Sequence, residues 1–130
     1  MTPARAMALI GTAYVLAGCG VSASDQVQAK LQQFAHAVAN RDSGTLCTQV
    51  LAPALVDRLT AAGLTCEQAM QTFFGSVSDP TIAVSKVTVK GSTASAVVLS
   101  GAKGQPSSLD AVRLIDTKHG WRLSSLAGAG

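Results

Sequence analysis

Thr81-Ile82-Ala83-Val84-Ser85-Lys86-Val87-Thr88-Val89-Lys90-Gly91-Ser92 is where the apolar residues begin to recur every second position. Ile82 and Val84 share one parity and Val87 and Val89 the other. The phase therefore slips by one residue near Ser85-Lys86, as a β-bulge requires. Lys90-Gly91-Ser92 reads as a turn into a second strand, Thr93 to Ser100. Gly101 to Pro106 reads as a loop, Leu109 to Asp116 as a third strand, and Lys118-His119-Gly120 as a turn into a fourth, Trp121 to Leu126. Four successive strands with short links predict an antiparallel meander.

Upstream the period is helical. Ser24 or Asp25 can cap a helix reaching Ala39, with Val27, Leu31, Phe34, Ala35 and Val38 on one face and Gln28, Gln32 and His36 turned away. Asn40-Arg41-Asp42-Ser43-Gly44 breaks it. Thr45 to Leu51 forms a short second helix. Pro53 opens a third, with Leu55, Val56 and Leu59 inward and Gly63 as its stop. Thr65-Cys66-Glu67-Gln68 fits a capping box for a fourth, whose apolar residues are Ala69, Met70, Phe73 and Phe74. Helices preceding a meander predict an α+β domain.

The first 18 residues divide like a secretory signal: a basic start at Arg5, an apolar run from Ala6 to Leu16, and small residues at the end. The run is shorter than the roughly 20 residues a membrane-spanning helix needs. Leu16-Ala17-Gly18-Cys19 resembles the lipobox of bacterial lipoproteins. That resemblance implies cleavage between Gly18 and Cys19 and a thioether-linked lipid on Cys19, with palmitate-type acyl chains. Two chains anchor stably where one does not. The expected organisation is a signal peptide at 1–18, a lipidated cysteine and tether at 19–24, a single domain at 25–126 and a frayed tail at 127–130. The expected location is the extracytoplasmic side of the cell envelope.

The chain of 130 residues has a formal charge of +3, which becomes +2 once Arg5 leaves with the leader. The remaining basic residues are scattered along the chain without aromatic interleaving, and nucleic acid is not an expected partner. With Cys19 assigned to lipid, Cys47 and Cys66 are an even pair in an exported chain, most simply a disulfide. A redox pair would favour Cys-x-x-Cys spacing and a zinc site would need four ligands. Neither pattern is present, and no metal or cofactor is expected.

The element order resembles the small exported members of the nuclear transport factor 2-like (cystatin-like) superfamily. The residues that carry the resemblance are the Phe34 helix ending in Asn40-Arg41-Asp42, a cysteine in the next helix, Leu51-Ala52-Pro53-Ala54-Leu55, a second cysteine opening the following helix, and Gly120-Trp121-Arg122-Leu123. It implies a curved sheet wrapped over helices as a cone. It does not imply an activity, because these domains serve many.

Candidate chemistry is sparse. His36 falls on the polar side of its helix and His119 in a turn, so both should face water despite histidine's use as a general base. Asp42 fits a turn or cap. Asp110 shares a strand side with Val112 and Leu114, where a raised pKa would suit a base; the alternative is an ordinary paired or exposed carboxylate. Trp121 shares its face with Leu123 and should fill the core. Gly101-Ala102-Lys103-Gly104 lacks phosphate-loop spacing, and Ser107-Ser108 has no histidine to activate it. No catalytic residue is assigned. The expected role is a noncatalytic envelope module binding a small apolar ligand or another envelope protein. The alternatives are an enzyme using the cone with Asp110 as base, or a structural scaffold.

Overall fold

The computed structural model describes residues 20–125. The expected signal segment, its expected cleavage point at Gly18–Cys19, the expected lipidation at Cys19 and the expected tail at 127–130 lie outside the described residues.

Helix α1 spans Ala23–Ala39 and starts before the expected Ser24 or Asp25 cap. Ser22 is the cap: its hydroxyl accepts the Asp25 N–H at 3.1 Å. Asp25 thereby falls in the first turn, where its charge favours the positive end of the helix dipole. Val27, Leu31, Phe34 and Val38 are buried as their spacing requires, but the fully buried alanine is Ala37, and Ala35 is half-buried.

Arg41 leaves the helix with φ +54. Asp42 then caps α2 (Ser43–Thr45), which runs directly into a π-helical turn, Leu46–Val50. The expected second helix thus begins earlier and ends on Leu51, whose N–H reaches back five residues to the Leu46 carbonyl at 2.9 Å. Leu51 bridges Leu123 in parallel, and the Ala52 N–H donates to the Leu123 carbonyl at 2.7 Å. That segment covers one edge of the sheet. Pro53 opens α3 (Pro53–Ala61), where its missing N–H costs nothing. Helix α4 (Cys66–Ser76) has the expected capping box: the Thr65 hydroxyl accepts the Gln68 N–H, and the Gln68 side-chain carbonyl accepts the Thr65 N–H.

Strands β1 (Thr81–Lys90), β2 (Thr93–Ala102), β3 (Gln105–Thr117) and β4 (Gly120–Ser125) form one antiparallel sheet in chain order. The fold class is α+β, as expected. The phase slip lies between Val84 and Lys86, leaving Ser85 as the bulged residue. The expected Gly101–Pro106 loop is instead a continuation of the hairpin. Ala102 pairs with Gln105 across a turn at Lys103-Gly104, and Gly104 adopts φ +77, which favours glycine. A second register shift follows beside Pro106, whose ring nitrogen cannot donate to the ladder.

The core fills the inner face of the sheet. Ala94, Ala96 and Val98 of β2 and Val112 and Leu114 of β3 lie beneath the helices, closed by Trp121 and Leu123 of β4. Among the described residues the buried core runs from Val27 to Leu123. The Trp121 ring is buried, and its indole N–H has no hydrogen-bond partner among the described residues. On the outer face, strand pairing sets three of the basic residues, Lys86, Lys90 and Arg113, on one surface.

Candidate functional site

The tight β2–β3 turn positions a polar group at one end of the inner face. Ser100 on β2 pairs directly with Ser108 on β3, and Val98 pairs with Asp110. Because alternate residues share a face, Ser108 and Asp110 project inward together, with Ser100 across the ladder. The Ser100 hydroxyl lies 2.8 Å from Asp110 Oδ2 and the Ser108 hydroxyl 2.7 Å from the same oxygen. The two hydroxyl oxygens are 3.0 Å apart. Each hydroxyl has one proton, so when both donate to Oδ2 neither donates to the other.

These hydrogen bonds hold the Asp110 carboxyl below its ordinary pKa: Ser108 contributes most and Ser100 next, against a smaller upward push from desolvation. The raised pKa that a neutral-pH base would require is therefore absent. Asp110 is an ionised acceptor, and its partners are the serines.

Ser100 and Ser108 also line a cleft of about 150 Å³ whose opposite wall is Val38, Phe73 and Val77, with Ile82 beside Ser100 in the sheet. That volume suits a benzene-sized guest. Phe73 borders this opening and is 44% exposed, whereas Phe74 is 5% exposed. Arg41 braces the wall. Its guanidinium donates to the Phe74 carbonyl at 2.7 Å and the Val77 carbonyl at 3.0 Å, satisfying backbone acceptors at and just beyond the last turn of α4. The Lys103 N–H donates to the Ser78 carbonyl at 2.7 Å and ties the β2–β3 turn to the same segment.

Other candidates lie elsewhere. His36 and His119 are exposed, as expected. Asp42 is a cap: it accepts the Thr45 N–H at 3.0 Å and the Thr45 hydroxyl at 2.7 Å, and these bonds lower its pKa, backbone bond first. Cys47 and Cys66 form a disulfide with Cα atoms 5.9 Å apart, which joins the π-helical turn to the first residue of α4. No group of three or more His, Cys, Asp or Glu residues is placed to hold a metal ion among the described residues.

Reading the sequence singled out Asp110, weighed Ser108 only as a nucleophile without a histidine, and missed Ser100 and Arg41. The signal available was parity: Ser108 and Asp110 are two apart in one strand. Ser100 could be paired with them only once the hairpin turn was placed at Lys103-Gly104.

No family model matches the chain, and no curated protein resembles it in sequence. A crystal structure of a candidate dehydratase from the NTF2-like family of Streptomyces avermitilis superposes with a TM-score of 0.52 at 17% identity, over 78% of this chain and 90% of that one. The fold is NTF2-like. At this identity the likeness extends to the fold alone. The cleft opens between the helices and the inner face of the sheet, and two of its lining residues, Ser100 and Ser108, hold the Asp110 carboxylate behind them.

Proposed function

We propose that the chain is an envelope-anchored, noncatalytic NTF2-like module that binds a small ligand with an apolar body and a hydrogen-bond-donating, best cationic, polar end. The observation that carries this reading is Asp110. Two serine hydroxyls occupy Oδ2, while Oδ1 accepts no hydrogen bond from the described residues, and the group is held ionised. An ionised acceptor held by two serines that line an apolar cleft recognises a donor such as an ammonium. Dehydration would begin with a proton-abstracting base, and the lowered pKa makes Asp110 a weaker one. The envelope location rests on the signal segment and the lipobox at Leu16-Ala17-Gly18-Cys19.

Benzylamine, benzyl alcohol and benzoate test the cleft, since they share a ring and differ in charge. Amide resonances of Ser100, Ser108 and Asp110 should shift with benzylamine, less with the alcohol and not with benzoate. Asp110→Asn should weaken the amine about tenfold or more. Equal responses to benzoate and benzylamine would refute the reading.

A further inference from the structure

The outer face of the sheet is opposite the cleft and is divided along its length. At one end Ala83, Leu99 and Leu109 pair in one row, and Lys86, Val97 and Ala111 in the next. At the other end the rows are Thr88, Ser95 and Arg113, then Lys90, Thr93 and Ile115. Over β1 to β3 these rows contain three cations and no carboxylate, and β4 continues the last row with Arg122 beside Ile115. Thr88, Lys90, Thr93, Ser95, Arg113 and Ile115 line a shallow groove of about 450 Å³. Beside this basic surface, Leu109 is 69% exposed, Leu99 41% and Ile115 39%.

We infer that this face docks on the surface of a bilayer containing anionic phospholipid. Lys86, Lys90 and Arg113 meet headgroup phosphates, with the hydroxyls of Thr88, Thr93 and Ser95 as further donors. Leu109 and Leu99 enter the interfacial region. A mixed basic and apolar surface gains from both contributions: roughly 1 kcal/mol per cation near an anionic leaflet, plus burial of the leucines. Self-association through the same face would set its cations against cations or leucines, with no carboxylate to neutralise them. The docking is distinct from a lipid on Cys19 and from ligand binding in the cleft.

The test is co-sedimentation of residues 20–130, which carry every core residue found among the described residues and leave out Cys19, with vesicles. Vesicles of equal phosphatidylglycerol and phosphatidylcholine should bind it and pure phosphatidylcholine should not. Raised salt should release it. The triple variant Lys86→Gln, Lys90→Gln, Arg113→Gln should lose on the order of a hundredfold in affinity with an unchanged unfolding temperature. Leu109→Ser should weaken binding, and Asp110→Asn should leave it intact while still impairing the cleft. Equal binding to both vesicle types overturns the inference, as does full binding by the triple variant. Displacement by millimolar glycerol 3-phosphate at constant ionic strength would instead assign the groove to a free phosphate. A dimer of the vesicle-free chain that the triple variant abolishes would make the face a protein interface.

Discussion

At Asp110, two serine hydroxyls converge on one carboxylate oxygen, and this sets the sign of its pH response. A carboxyl whose folded pKa lies below its unfolded value, near 3.9, stabilises the fold above that value. The contribution is lost as pH falls through the folded pKa, so the affected range lies below about pH 4. Thermal unfolding of wild type and Asp110→Asn from pH 2 to 7 should show a constant gap above about pH 5 that closes in stronger acid. A gap that widens in acid would contradict the lowered pKa. Arg41 makes a different contribution, through two charge-assisted bonds to backbone carbonyls. Its surface exposure puts the loss in Arg41→Ala at about 1–2 kcal/mol, below the range for buried charged bonds, measurable by urea unfolding. Neither role was legible residue by residue. Asp110 was visible only as a carboxylate among apolar neighbours, and Arg41 only as part of a helix break.

Elements governed by near neighbours were legible in the sequence. The capping box at Thr65 and the bulge at Ser85 each depend on a few adjacent residues, and both occur where the pattern placed them. The start of α1 moved because serine at 22 and serine at 24 are equally good caps, and tertiary packing decides between them. The β2–β3 hairpin was read as a loop because Pro106 and two glycines suggest interruption, whereas a two-residue turn and a register shift accommodate them. The Cys47–Cys66 bond followed from cysteine counting and export. It closes a loop with a sequence separation of 19 residues, and its reduction should cost about 3 kcal/mol in the chain-entropy model. For a domain of this size the midpoint should fall by roughly 10–20 °C, read by calorimetry with and without reductant. An unchanged midpoint after complete reduction would remove the bond from the stability account.

Across the whole molecule, one sheet separates two surfaces with different chemistry: an inner cleft whose serines hold an ionised carboxylate and an outer face carrying Lys86, Lys90 and Arg113. Antiparallel pairing produced the second from residues 86, 90 and 113, and no linear inspection of charge could have grouped them. The cone-like order was legible because helix and strand periods differ, whereas the cleft depends on where the ends of α1, α4 and the β2–β3 turn meet. Attachment to the envelope is tested at the other end of the chain. Cys19→Ala should abolish incorporation of labelled fatty acid and shift the protein out of the detergent-soluble membrane fraction. Persistence of the label in that variant would end the lipoprotein reading.

Trp121 is the single tryptophan of the chain, and it is 3% exposed. The domain therefore carries its own optical gauge: one fluorophore, shielded in the native state and wetted only when β4 comes away from the helices. Its emission should redden in a single sigmoidal step with denaturant, superimposable on the loss of circular dichroism if the domain melts as one unit. Vesicles should leave the colour of that emission unchanged, because the indole faces away from the surface they would touch.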